Sequence, residues 1–379
     1  MLSNLLHHHV LEPVDLARLE ELLAGAGRPS AEHGVRARAR PGRGLDSTTA
    51  PPGGARRGFI ATPENARDVS DIRIGVVGGS GLYEMAAVEV EETRRVSTPF
   101  GEPSDAFVVG RLAGRRVAFL PRHGRGHRLL PTEIPFRANL WAFKSLGVER
   151  LLSVSAVGSM KLAYAPGHVV VPDQFVDRTR HRPDTFFGDG LAAHVSLADP
   201  VCPHLAAVLA DAAEAAGGTV HRGGTYLCME GPQFSTRAES NVYRGWGVDV
   251  IGMTNLQEAK LAREAEICYA TLAMITDYDC WHETEEAVSV EAVVAVLQAN
   301  AELGQEVVRR AVAALDGGRA AAGEAACACG DALAFALLTD RSAVPAETVE
   351  RLRPIVGRYF GDAGGAGAGA AGGAGSEGG

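Results

Sequence analysis

Residues 267–286 read ICYATLAMITDYDCWHETEE, and this stretch decides the fold. From Ile267 to Ile275 it is an apolar run, rich enough in branched and small residues for a buried strand. The run stops at Thr276-Asp277-Tyr278-Asp279. Two carboxylates two residues apart at the end of a buried strand are costly unless something binds them. In open α/β sheets, ligands sit in the crevice beyond the carboxyl ends of the strands. Asp277 and Asp279 are therefore expected to face a ligand that carries donors. Capping of a following helix is the competing use of the same side chains.

The chain around this stretch has 379 residues, enough for one large domain with additions or for two domains. A hydrophobic content of 46% with 22% charged residues is ordinary for a globular protein. The net charge of −9 speaks against general attraction to nucleic acid or to an anionic membrane surface. No apolar run reaches the roughly 18 residues that span a bilayer, and the first residues lack a secretory cleavage pattern. The six cysteines have no CxxC spacing, so reduced thiols and a cytoplasmic location are expected. The CAC pair, Cys327 and Cys329, would bind a metal only with ligands from elsewhere, and no matching His pair is visible; no metal is expected.

Residues 1–70 read as an appendage. A short amphipathic pattern over 11–24 is followed by a stretch dense in Arg, Gly and Pro with almost no large apolar residues. Such a segment cannot bury enough surface to offset its ordering entropy, and disorder is expected. An Arg-rich nucleic-acid arm is the sharper alternative, weakened by interrupting acidic residues.

From residue 72 onward, strand patterns alternate with helical ones. IRIGVVGGSGLYEM is a strand, a glycine turn and the start of a helix. Gly78, Gly79 and Gly81 let backbone N–H groups approach an anion, with Ser80 as a further donor. The GxGxxG spacing of a dinucleotide loop is missing, so phosphate or another small anion suits the loop better. Strand patterns over 107–110 and 116–120 flank a turn at Ala113-Gly114, and the second runs into Arg122 and His123, two donors suited to an oxyanion or else an incidental surface turn. Residues 151–159 form another buried strand, from which Ser155 and the Ala156 N–H would donate to the same anion. A strand is expected over 167–176, helices over 136–146, 206–216, 237–246 and 257–265, and a long amphipathic helix over 290–315. Strands over 225–235 and 248–253 lead into Phe234 and Met253-Thr254. Phe234 offers an aromatic face for a flat heterocycle, or else a core contact. The alternation predicts an α/β fold with a central sheet. Gly, hydroxyl, Arg, His and Asp residues gather at successive strand ends, which describes a site with an anion half and a carboxylate half.

The motifs GGSGLYE, TPFGEPS, RHGRGHRLLPTEIPFRANLWA, SAVGS, DQFVDRTRHRP, EGPQFSTRAES, MTNLQEAKLARE and TDYDCW closely resemble those of the trimeric purine nucleoside phosphorylases, in order over residues 72–315. Within that family the methylthioadenosine phosphorylases are the nearest match. The resemblance implies a single α/β domain, 71–318, with a central mixed β-sheet flanked by helices. It implies cleavage of a nucleoside by inorganic phosphate as co-substrate, in purine and methionine salvage, with no metal or organic cofactor, no nucleic-acid or membrane partner, and a homotrimer. By the same resemblance, Ser80, Arg122, His123, Ser155, Ala156 and Thr254 would bind phosphate, and Met253 would lie against the ribose. Phe234 and Ser235 would line the base pocket, with Asp277 and Asp279 on the purine. His194, reaching from a neighbouring subunit, would shape the 5′ pocket with Val290 and Val293. Asp277 would be the general acid at N7, its pKa raised by burial and a second carboxylate, and Asp279, which only accepts, would favour a 6-amino group. A purine nucleoside phosphorylase of broader or 6-oxopurine specificity is the nearest rival; a hydrolytic nucleosidase and a non-catalytic sensor are more distant ones. Residues 319–362 read as two further helices that cover the site, and 363–379 as a low-complexity tail.

Overall fold

The computed structural model describes residues 72–315, except 80–81, 83–84, 86 and 283–289, together with residues 327–361; over 290–295 it fixes the backbone alone. The expected appendage at 1–70 and the tail at 363–379 lie outside the described residues.

Strand β1 (Ile74–Gly78) is followed by the edge strand β2 (Glu89–Arg94) and the hairpin β3 (Phe107–Leu112) and β4 (Arg115–Pro121). The hairpin turns on Ala113 and Gly114, whose φ values of 49° and 75° are both left-handed, as a tight two-residue connection requires. β1 pairs parallel with β4, Gly78 opposite Pro121, so the two strands end side by side.

At the centre lie β5 (Arg150–Ser159) and β11 (Cys268–Tyr278), paired in parallel along their length. Alternate residues of β11 enter different cores: Cys268, Ala270, Leu272 and Met274 pack in one cluster, and Tyr269 in another. Both faces are therefore buried, which is why the run is continuously apolar rather than alternating. Each fully buried Leu or Ile in it contributes about 1.5–3 kcal/mol. The first face is covered by α2 (Pro203–Ala215) and α5 (Val290–Ala314), the second by α1 (Phe136–Ser145) and α4 (Asn255–Glu264).

β5 changes neighbours along its other edge. β1 pairs with its first part, ending at Val77 opposite Ser153. β10 (Val250–Gly252) pairs antiparallel with its last part, at Gly158 and Ser159. Residues 154–157 therefore carry no strand partner on that edge among the described residues. This is the topological break where ligands enter an open sheet. Outward from β10 come β9 (Thr225–Met229) and β7 (Gln174–Arg178), while β6 (Val169–Val171) pairs with β11 and β8 (Val220–Arg222). The result is the expected mixed sheet flanked by helices. α3 (Arg237–Gly245) starts with a capping box in which Thr236 accepts from the Glu239 N–H.

Three expectations change. The strand expected over 167–176 is two strands, because at Pro172-Asp173 the chain leaves β11 and joins β9; Pro172 brings no N–H to a ladder. β11 does not stop at Ile275. It continues to Tyr278 through a register shift between Ile275 and Asp277, a bulge of the kind that re-aims a side chain beside a site. The C-terminal segment does not form two continuous helices: residues 328–331 and 341–343 form short 3-10 turns, and the second expected helix is two short ones, α6 (Ala346–Arg351) and α7 (Arg353–Phe360), parted where Pro354 enters the first turn of α7. The segment clips to Glu266, just before β11 begins, through Leu333 N–H at 3.0 Å, Arg358 Nη2 at 2.7 Å and Tyr359 Oη at 2.6 Å.

Candidate active site

Parallel pairing of β4, β1 and β5 brings Arg122, Gly78 and Ser155 to the same end of the sheet. Arg122 is almost wholly buried and its side chain is held on four counts. Nε and Nη2 donate to the two Glu258 oxygens at 2.5 and 3.2 Å, Nη2 to Ser153 Oγ at 2.6 Å, and Nη1 to Val154 O at 2.9 Å. Burial alone would lower the guanidinium pKa; the Glu258 carboxylate outweighs it and holds the group above its ordinary value. The sequence suggested a fork open to an anion. Instead the fork grips Glu258, and one Nη1 hydrogen is left beyond these four bonds. Glu258 is itself satisfied, also accepting from Ser153 Oγ and Tyr269 Oη, both at 2.9 Å. Asn255 Nδ2 closes the network by donating to Ser153 Oγ, Tyr269 Oη and Thr271 Oγ1. A buried charge pair persists only with such complete bonding.

Val154 O turns toward Arg122 from the unpaired part of β5. Backbone groups alternate edges along a strand, so the Ala156 N–H turns the same way. Ala156 is exposed, alone among the residues of this central strand, because the sheet is open there. The Ser155 hydroxyl is buried without a hydrogen-bond partner among the described residues, and such a group normally marks a place for a ligand or water. Thr254 is buried at the start of α4, whose first N–H groups and dipole favour an anion. His123 Nδ1 donates to Leu129 O at 2.8 Å, and its ring stacks on His127 at 4.2 Å. Ser80 lies outside the described residues.

The carboxylate half sits across the break. An added Cβ at Gly158 would meet Asp277 Oδ1 at 3.2 Å and Asp279 Cβ at 3.6 Å, so both acids converge over a β5 residue without a side chain. Burial, with a smaller contribution from Asp279, pushes the Asp277 carboxyl up to about 6, against a lowering hydrogen bond from Thr276. Asp279 is buried, and its N–H donates to Ser159 O at 3.0 Å. Cys280 Sγ donates to Ser235 O at 3.3 Å, bringing the 234–235 turn against the acids. Phe234 and Ser235 are half-buried there. Gly231 has a left-handed φ of 69°, and a Cβ on it would fall 2.6 Å from Met253 Sδ, so Met253 lies against the same turn.

The structure thus brings together Arg122, Ser155, Ala156 and Thr254 at one end of the break and Asp277, Asp279, Ser235 and Met253 at the other. His194 is different: it is exposed, with its N–H on Ala336 O at 2.9 Å. Val290 and Val293 lie in the first turn of α5, and their side chains are outside the described residues. Sequence reading missed Glu258 and Arg182. Arg182 is buried; it donates to Gln257 Oε1 at 3.0 Å and to the carbonyls of Met253 and Glu230, tying the Met253 segment to the 230–235 turn. Its signal was the Arg-bearing 178–182 stretch. Glu258 looked like any acidic residue in a helix.

The model of the phosphorylase superfamily matches residues 73–313. The chain belongs to this superfamily. It is 61% identical over 289 residues to the S-methyl-5′-thioadenosine phosphorylase of Koribacter versatilis, covering 76% of this chain and 97% of the relative. It is 58% identical to the enzyme of the same name from Geobacter sulfurreducens, covering 76% and 98%. A methylthioadenosine phosphorylase from an Antarctic soil metagenomic library superposes with a TM-score of 0.70 at 50% identity, over 76% of this chain and 99% of that one. The Schistosoma mansoni methylthioadenosine phosphorylase, solved in complex with adenine, gives 0.61 at 36% identity over 64% and 91%.

Proposed function

We propose that the protein cleaves S-methyl-5′-thioadenosine with inorganic phosphate, giving adenine and 5-methylthioribose 1-phosphate. The observation that carries this reading is the break in the sheet at residues 154–157, with buried donors at one end and two converging carboxylates at the other. The similarity to methylthioadenosine phosphorylases over nearly their whole length supports the substrate.

The chemistry follows from the two halves. The C1′–N9 bond breaks through an oxocarbenium-like sugar. Phosphate is held at the Arg122 Nη1, Ser155 Oγ, Ala156 N–H and α4 end, where its charge faces C1′; this is positioning and electrostatic stabilisation. A phosphate oxygen forms the new bond to C1′ as N9 departs with the old bonding pair. Asp277 passes its proton to N7, so the base leaves neutral. Asp279 accepts from the 6-amino group and offers nothing to a 6-oxo group. No step calls on a metal or an organic cofactor. The same reading makes the chain a cytoplasmic homotrimer in which the exposed His194 reaches a neighbour's 5′ pocket; light scattering would then give three times the 39.7 kDa chain mass.

Specificity tests the reading. With saturating phosphate, kcat/KM for methylthioadenosine is expected to exceed that for methylthioinosine by on the order of a hundredfold or more, since a site built around one hydrogen-bond sense rejects the other strongly. Equal rates, or preference for the 6-oxo base, would overturn the role given to Asp279.

A further inference from the structure

Far from this site, four cysteines that are scattered in sequence meet. The sulfurs of Cys202, Cys268, Cys327 and Cys329 all lie within 4.8 Å of one another. Cys202, Cys268 and Cys329 are buried and Cys327 is half-buried. All four are free thiols; the Cys268 and Cys327 sulfurs stand 3.2 Å apart. A tetrahedral zinc tetrathiolate has Zn–S distances near 2.3 Å, hence S–S edges of about 3.8 Å, which this cluster brackets. Taken from sequence alone, the CAC pair lacked partner ligands. The fold supplies them as two more cysteines, from the N-cap of α2 and the first residue of β11.

We propose that these four cysteines form a structural site for one zinc ion, which ties the C-terminal extension to the catalytic domain. Sulfur-only ligands in a closed, tetrahedral set select zinc or iron over harder cations, and four filled positions leave no place for a substrate. Binding displaces four thiol protons to solvent and leaves the centre with a net charge of −2. Two features offset that charge. Arg263 Nη1 approaches Cys329 Sγ at 3.8 Å, and Cys202 stands at the positive end of α2. The ion would join the extension, through the CAC pair, to the start of β11, beside the Glu266 clip already described. Asp277 lies nine residue steps along β11 from Cys268, about 30 Å at the usual rise, so the site is structural and separate from the chemistry.

The test uses the full chain, expressed in zinc-containing medium and purified without chelator, with metals measured by plasma mass spectrometry. About one zinc per chain is expected, retained in Cys280→Ser, whose thiol lies outside the cluster, and lost in Cys329→Ser. Should the Cys329→Ser chain fail to fold, the wild-type chain still decides. Stripped and reloaded with cobalt(II), it should show the intense visible bands and sulfur-to-metal charge transfer of a tetrahedral tetrathiolate, and zinc should abolish them stoichiometrically. Wild-type protein that holds no metal before or after reloading would overturn the proposal, whether peptide mapping then finds four alkylatable thiols or two disulfides. One iron in place of zinc would overturn the choice of ion.

Discussion

Asp277→Asn separates catalysis from stability, because the same burial serves one and opposes the other. With its carboxyl pushed up to about 6, Asp277 is protonated in about half of the molecules at pH 6, one in ten at pH 7 and one in a hundred at pH 8. If this proton goes to N7, kcat/KM should fall about tenfold per pH unit above pH 6. Asn keeps the shape and carries no transferable proton, so the variant should lose roughly 10²–10⁴-fold in rate, the usual worth of a general acid, and the alkaline fall due to residue 277 should disappear. Stability moves the other way. The folded chain holds this proton more tightly than the unfolded chain, whose carboxyl keeps its ordinary value of 3.8. Stability is therefore greatest below that value, falls as pH rises towards 6, and stays reduced above. Two units correspond to about 3 kcal/mol, which is an upper figure for a half-buried group. Asparagine has no charge to bury, so at pH 7 the variant should melt higher than the parent. The assays are adenine release against pH and thermal melting at pH 7. Turnover within threefold of the parent, or a loss of rate accompanied by a lower melting temperature, would refute the reasoning.

Other substitutions probe the remaining parts. Ser155→Ala removes a buried hydroxyl that has no hydrogen-bond partner among the described residues, so stability without phosphate should hardly change, while the phosphate KM should rise about ten- to a hundredfold for a lost hydrogen bond to a charged group. Glu258→Gln leaves Arg122 buried without its counter-charge and should cost about 3–5 kcal/mol by denaturant titration, with a weaker phosphate KM. Gly252→Ala puts a Cβ 1.9 Å from the Tyr226 hydroxyl; overpacking of about 1–3 kcal/mol is expected, and Tyr226→Phe in the same chain should recover part of it in the melting curve.

Much of this site could be read in the sequence, because its residues sit where apolar runs end. Asp277 and Asp279 close β11, Arg122 and His123 close β4, and Ser155 interrupts β5. A sharp change from buried strand to polar side chain is visible without knowing the neighbours. What escaped depends on pairing across long separations. The bulge between Ile275 and Asp277 is a register event between two strands and leaves no local mark. Glu258 gains its meaning only from Arg122, 136 positions away. Pro172 did announce a break, but not that the chain there changes from β11 to β9. The four cysteines show the limit most clearly. A CAC pair has no ligand set until the fold brings Cys202 and Cys268 beside it. In the C-terminal segment, Ala-rich text over 326–336 carried a helical composition, and docking on Glu266 and the cysteine cluster overrode it with a 3-10 turn.

The central claim is that one break in the sheet holds phosphate and nucleoside together for direct transfer. The measurement that meets it most directly is mass-spectrometric identification of the sugar product from methylthioadenosine, with and without phosphate. The structure predicts 5-methylthioribose 1-phosphate alongside adenine when phosphate is present, and no cleavage in its absence. Free methylthioribose, formed at the same rate without phosphate, would show that water is the nucleophile and that the buried donors around Ser155 serve another purpose.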